Sequence, residues 1–318
     1  MGLSNLPPVE KTTTYLDAAF AKTRNNAREH TLAARDKSAL ARARALTLIK
    51  LDTVQDYLSG KLKKIIDTYP NVENLTEFYK QLLRATLDYD KLKKSLGAMN
   101  WARGQIQKFS REYRRKIGGA SSAATVNQIL PQYYGRVSSV MKQIDKELRY
   151  LHDARHVMRD YPALKEDVFT VAIAGFPNAG KSTLLSKLTT ARPEINTYAF
   201  TTKQLNQGNL NVEGKKIQFI DTPGTLDRPE KMNFIEAQAY LAIRYAAHLI
   251  MYVFDLSEQG YDLANQRKLL ERLKKEDKPI ICYTAKTDII DKHTLERFKQ
   301  TFARKKIPLC TTLDELKT

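Results

Sequence analysis

The sequence predicts two folds in series: an all-α helical bundle over residues 1–165, then an α/β domain over residues 166–318 built on a mainly parallel sheet. Three observations carry this. Apolar residues recur at helical spacing from about Thr14 to Asp160. Beyond Lys165 they switch to short continuous runs that alternate with helical stretches. The first of those runs leads directly into a G-x-x-x-x-G-K-S string. A chain of 318 residues is long enough for two such cores.

In the first half, Leu58, Leu62, Ile65 and Tyr69 share one helix face, and Pro70 ends that helix. Val137, Val140, Met141, Ile144, Leu148 and Leu151 form a second stripe. The paired glycines and serines of Gly118 to Ala124 predict a loop between helices, and Tyr161-Pro162 ends the last long helix. In the second half, Val168 to Ala174, Ile217 to Ile220, Leu249 to Phe254 and Ile280 to Tyr283 are rich in β-branched and aromatic residues and read as strands. Asn206 to Val212 and Lys216 to Ile220, joined across Glu213-Gly214, predict a hairpin that adds an antiparallel edge.

The hydrophobic fraction of 42% and charged fraction of 28% exclude a disordered chain. No apolar run approaches the roughly 20 residues that cross a bilayer, and residues 1–8 lack the layout of a secretory signal, so a cytoplasmic protein is expected. Cys282 and Cys310 are too few for a disulfide framework or a four-ligand zinc site and read as small strand residues. Residues 1–165 hold 30 Lys and Arg against 16 Asp and Glu, a net of +14 out of the chain's +18. Such an excess favours polyanions, either nucleic acid or an acidic membrane surface, and is equally the mark of a solvated helical surface.

Gly175-Phe176-Pro177-Asn178-Ala179-Gly180-Lys181-Ser182 follows a strand and opens the helical stretch Thr183 to Leu188. Chemistry on a nucleotide phosphate needs this arrangement. Glycines let backbone N–H groups curl around phosphate oxygens, the helix N-terminus adds positive potential, and Lys181 neutralises the β and γ phosphates. Ser182 is placed to ligate Mg²⁺.

Asp221-Thr222-Pro223-Gly224 ends the strand Ile217 to Ile220, which brings the Asp221 carboxylate to the sheet edge where it can hold a Mg²⁺ water. The Gly224 N–H can meet the γ-phosphate, and Thr202, next to Thr201, is assigned as the switch threonine on Mg²⁺. Base choice rests on Lys286 and Asp288, which follow the strand Pro279 to Thr284 and fit the end of N-K-x-D, whose aspartate accepts two hydrogen bonds from guanine. Ala285 stands in the asparagine position, so one base contact and one tether to the phosphate loop are missing. That weakens affinity more than selectivity. The last base motif is reduced to Thr311 and Thr312. Thr183, Phe200 and Thr287 complete the expected nucleotide contacts. Lys181, Thr202 and Gly224 are the expected catalytic groups.

With these motifs in place the chain resembles the Nog1 family of GTPases, in the Obg and HflX group, and is similar to its shorter, archaeal-type members. The resemblance rests on residues 175–182, Tyr198-Ala199-Phe200-Thr201-Thr202-Lys203, Asp221 to Gly224 with Leu226-Asp227-Arg228-Pro229, Ile235-Glu236-Ala237-Gln238-Ala239, and Asp255-Leu256-Ser257-Glu258-Gln259-Gly260. Tyr69-Pro70, Phe78-Tyr79, Leu82-Leu83 and Trp101-Ala102-Arg103 look like the family's N-terminal bundle. It implies a P-loop GTPase domain of the Obg type that acts, with GTP and GDP, in assembly of the large ribosomal subunit. The N-terminal bundle would lie against ribosomal RNA, among other assembly factors, in a protein that is a monomer off the ribosome.

Thr225 and Leu226 follow Gly224 where Ras-like proteins carry a water-orienting glutamine, so intrinsic hydrolysis is expected to be slow. A partner group, or a K⁺ ion held by Asn178, would substitute; Asn178 also reads as a loop-stabilising side chain. Arg103, Lys108, Arg111, Arg114, Arg115 and Lys116, beside Phe109 and Tyr113, are the expected RNA contacts, with a solvated helix face as the other reading. A GTP-binding adaptor with little hydrolysis and a membrane-associated GTPase are the alternatives to a hydrolysing switch, and no membrane attachment is expected.

Overall fold

The computed structural model describes Leu3 and residues 6–33, 38–165, 167–189, 205–224, 234–305 and 307–316. They form two compact units: Leu3–Asn74 with Leu87–Asp160, and Leu75–Thr86 with Tyr161–Thr318.

The first unit is helical: α1 (Thr12–Ala33), α2 (Ala39–Thr68), α4 (Tyr89–Gly119), α5 (Ala123–Gln143) and α6 (Asp145–Arg159). The expected α2 stripe Leu58, Leu62 and Ile65 is buried, and Tyr69 adopts the extended conformation that a following proline demands. The Tyr69 hydroxyl donates to the Leu151 carbonyl at 2.6 Å, so this buried polar tip is satisfied. α4 continues through Gly118 and Gly119, leaving a connection shorter than the sequence suggests. Burial of Ile117 carries the helix across both glycines, and the Ser122 hydroxyl caps α5 by accepting from the Thr125 amide. The second stripe spans two helices. The chain leaves helical geometry at Ile144 (φ −98°, ψ 11°) between α5 and α6, yet all six stripe residues stay buried.

The second unit contains β1 (Phe169–Ala174), α7 (Lys181–Leu188), β2 (Gln207–Val212), β3 (Lys215–Asp221), α8 (Phe234–Leu241), β4 (Leu249–Asp255), α9 (Leu263–Leu273), β5 (Ile280–Ala285), α10 (Lys292–Lys305) and β6 (Leu309–Cys310). Among the described residues the strands form one sheet in the order β2-β3-β1-β4-β5-β6. All neighbours run parallel except the β2–β3 hairpin, which turns through Glu213 and Gly214, both at positive φ. Cys282 and Cys310 lie on β5 and β6. Strand order reverses at β1, whose carboxyl end is where a doubly wound sheet opens its crevice.

This unit also takes in α3 (Glu77–Thr86), which the chain supplies from between two bundle helices. Its buried Phe78, Tyr79, Leu82 and Leu83 lie on the side that meets α8 and the π-helical turn Ala242–Ala246. The Tyr79 hydroxyl donates to the Pro162 carbonyl at 2.8 Å and accepts from the Leu164 amide at 3.0 Å, joining α3 to the segment that enters β1.

Candidate functional site

β1 is buried from Thr170 to Ala174 and delivers the chain into the loop Gly175 to Ser182. Gly180, at φ +94°, turns this loop into α7, a conformation that L side chains rarely adopt. Leu184, Leu185 and Leu188 anchor α7 in the sheet core, which fixes the helix start above β1. Lys181 opens the helix only 7% exposed, and its Nζ donates to the Phe176 carbonyl at 2.8 Å. Burial pushes its pKa below the ordinary lysine value, while the Asp221 carboxylate pulls the other way. The loop therefore holds a partly desolvated cation at the mouth of the sheet. Asn178 is exposed at φ +61°, a region asparagine tolerates.

β3 brings the second motif alongside. Asp221 pairs in register with Ile173, and the amide and hydroxyl of Thr222 both donate to the Ile173 carbonyl, at 3.1 and 2.8 Å. The Ser182 hydroxyl donates to Asp221 Oδ2 at 2.5 Å, and Asn206 Nδ2 approaches the same oxygen at 3.4 Å. Asp221 Oδ1 is buried with no partner among the described residues. A hydroxyl and a half-satisfied carboxylate converging beside a lysine suit a hard, oxygen-seeking cation, so Ser182 and Asp221 fit Mg²⁺. Gly224 lies against the phosphate loop: a Cβ there would stand 2.1 to 2.6 Å from Pro177 atoms, so no side chain fits without displacing the loop. Phe200, Thr201, Thr202, Thr225 and Leu226 lie outside the described residues.

The residues expected to read the base lie at and beyond the carboxyl ends of β4 and β5. Ala285 is buried, its Cβ 3.2 Å from where a Gly180 Cβ would be. Lys286 sits at φ +56° and its Nζ donates to Asp255 Oδ2 at 2.7 Å. Asp255 Oδ1 accepts from the Ser257 amide at 3.0 Å and hydroxyl at 2.7 Å. Burial works to raise the Asp255 pKa, but the bonds from Lys286 and Ser257 outweigh it and hold the carboxyl below the usual range. Gln266, 1% exposed, accepts from the Asp255 amide at 3.0 Å and donates to the carbonyls of Asp255 and Tyr261 at 2.7 and 2.6 Å. Asp288 is exposed just beyond. The amides of Thr311 and Thr312 donate to Glu315 Oε2 at 2.6 and 3.3 Å, so a carboxylate of the chain itself closes that turn.

Asn206 and Gln266 carry no motif signal and enter only through folding. Asp255 and Tyr261 lie in and beside a string whose role the sequence leaves open.

On α4, Arg114 pairs with Asp52, and Lys116 pairs with Glu112 at 2.8 Å while lying over the Tyr113 ring. Tyr113 is itself buried, and Arg136 lies over Phe109. Arg103, Lys108, Arg111 and Arg115 make no ion pair among the described residues. Lys108, Arg111 and Arg115 follow at spacings of three and four, so they share an exposed face. Trp101, 44% exposed, precedes Lys108 by two helical turns on that face. Among the described residues no helix is long and apolar enough to cross a membrane.

Comparison with known proteins matches residues 4–164 to a family model described as the NOG1 N-terminal helical domain, and residues 170–286 to one described as a 50S ribosome-binding GTPase. The chain is 40% identical over 260 residues to an uncharacterized protein of Methanocaldococcus jannaschii, covering 81% of this chain and 73% of that one. It is 34% identical over 255 residues to nucleolar GTP-binding protein 1 of Drosophila melanogaster, covering 79% of this chain and 39% of the relative. A solved structure of Aquifex aeolicus Era is 28% identical over 47% of this chain and 54% of its own, with a TM-score of 0.37. The chain thus spans about two fifths of the nucleolar protein's length.

Proposed function

Because the chain belongs to the NOG1 family, we propose that it is a GTP-binding switch that hydrolyses GTP slowly during assembly of the large ribosomal subunit, its basic helical unit contacting ribosomal RNA. The single observation that carries the nucleotide reading is the convergence of Lys181, Ser182 and a half-unpartnered Asp221 at the carboxyl end of β1. An anion arriving there meets helix-terminal amides and a buried ammonium already in place, so little reorganisation opposes binding. Lys181 would exchange the Phe176 carbonyl for phosphate oxygens, and Ser182 and Asp221 would hold Mg²⁺ with Thr202, Asp221 through water. When bound, Mg²⁺ would neutralise charge developing on the phosphates. Gly224 packs on Pro177; its amide would meet the γ-phosphate, and hydrolysis would remove that contact.

Guanine selection is assigned to Asp288, at the end of the β5 turn. The RNA reading draws on the four unpaired cations of α4 and on the charge asymmetry. Thr225 and Leu226 after Gly224 favour slow turnover, with a ribosomal partner or K⁺ at Asn178 as the accelerating group. The same residues suit a second reading, a GTP-binding adaptor that barely hydrolyses. The proposed setting is the cytoplasm. Titration of purified protein plus Mg²⁺ with labelled GDP tests the core of this proposal, and no binding at millimolar nucleotide removes it. Single-turnover hydrolysis with and without large-subunit particles separates switch from adaptor: acceleration by the particles supports the switch.

A further inference from the structure

We propose that the loop from Asp255 to Tyr261 tethers the base-reading turn to the phosphate loop, taking the role of the asparagine that Ala285 replaces, with Asp255 as the positioning residue. The inference rests on the guanine-nucleotide reading above and assigns a job to a segment that reading leaves idle.

A methyl group at Ala285 offers contact with Gly180 but no hydrogen bond. The turn beyond it starts at Lys286 in a left-handed conformation that a non-glycine residue holds only when its surroundings fix it. Asp255 supplies that fixation. Ser257 occupies Oδ1 with two hydrogen bonds, which sets the carboxylate rotamer and aims Oδ2 at Lys286 Nζ, 2.7 Å away. The carboxylate is 4% exposed and the lysine 32%, so water reaches this charge-assisted bond mainly from the ammonium side.

The loop is then locked to itself and to the phosphate side. Gln266 binds both backbone groups of Asp255 and the Tyr261 carbonyl, so residues 255 and 261 move as one piece. The Tyr261 ring lies 4.7 Å from the ring of Phe176, the second residue of the phosphate loop. Tyr261 is 49% exposed, so its ring can be removed without opening the core. A continuous path thus runs Phe176, Tyr261, Gln266, Asp255, Lys286. It fixes the spacing between phosphate and base subsites before nucleotide arrives, and preorganisation of that kind appears mainly in the dissociation rate.

The test is the dissociation rate of labelled GDP, followed in the native chain by competition. Asp255→Asn keeps the size and removes the charge, and a rise of about tenfold or more is expected. In a Lys286→Met background the same change should add nothing, because the carboxylate acts through that ammonium; an equal loss in both backgrounds marks a general structural role and overturns the proposal. Adding Ala285→Asn to Asp255→Asn restores the missing link, and the rate should return toward that of the native protein. Should Asp255→Asn fail to fold, Tyr261→Ala cuts the other arm at an exposed ring. There a rise of about two- to fivefold, recovered by Ala285→Asn, supports the tether, and an unchanged rate sinks it. A native protein that does not bind GDP at all refutes the nucleotide reading instead.

Discussion

The recognition proposed for the two units works in opposite ways. In the α/β unit, the proposed nucleotide binding depends on a few groups brought together from distant positions: Lys181 from α7 and Asp221 from β3 at the phosphate end, and Asp255 from β4 with Lys286 at the other. In the helical unit the proposed RNA contact depends on surface density, since Lys108, Arg111 and Arg115 lie on one exposed face of α4 and form no ion pair among the described residues. A convergent site fails when one member is lost or displaced. A distributed site weakens in proportion to the charge removed. The difference teaches which mutations should be catastrophic and which graded.

The largest contrast is expected from Lys181→Met. Loss of a charge-assisted phosphate contact should weaken GTP binding by about 10- to 150-fold, read by titration calorimetry. RNA binding should not change. Burial penalises the charged lysine at neutral pH, so the ligand-free variant should be no less stable to urea than the native protein. A loss of RNA binding would break the separation between the units.

Next comes the graded side. Lys108→Glu, Arg111→Glu and Arg115→Glu combined should flatten the salt dependence of RNA binding by about 0.7 to 0.9 log units per phosphate contact removed. GDP binding should stay as it was. A salt slope that does not move assigns these residues to plain solvation.

Gly224→Ala sharpens the convergent side further. Its methyl would overlap Pro177, and overpacking of this kind costs about 1 to 3 kcal/mol. A lower urea midpoint with a faster GDP off-rate is expected, while an unchanged midpoint would mean that the phosphate loop yields freely.

The smallest effect is on pH. The Asp255 carboxyl is held below its ordinary value, so it adds stability that is full above the unfolded carboxylate value of about 3.9 and is lost as pH falls through the lower folded value. Unfolding midpoints measured from pH 7 to pH 3 should therefore show a shallower acid limb for Asp255→Asn than for the native chain.

Much of this was legible in the residues. The strand runs, the hairpin and the phosphate loop are local patterns, and the buried stripes of α2, α5 and α6 follow from helical periodicity. Other features were not. The helix through Gly118 and Gly119 depends on Ile117 finding a core, and the break at Ile144 leaves the apolar spacing intact, so neither shows in a pattern. The placement of α3 with the α/β unit is a matter of what its apolar face meets, and the same face would serve equally well in a bundle. Of the two aromatics beside the expected RNA contacts, Tyr113 is core, whereas Phe109 is half-buried with Arg136 over its ring.

By itself the sequence determined the chemistry proposed for the phosphate end, because eight contiguous residues dictate both the backbone curl and the charge that suit a triphosphate. Only the tertiary structure decided what surrounds the proposed base-reading turn. Lys286, Asp255, Gln266 and Tyr261 are separated along the chain and meet through strand register and a turn after β4. Hydrogen bonds reach about 3 Å, and no one-dimensional spacing says which distant groups folding will bring within that reach.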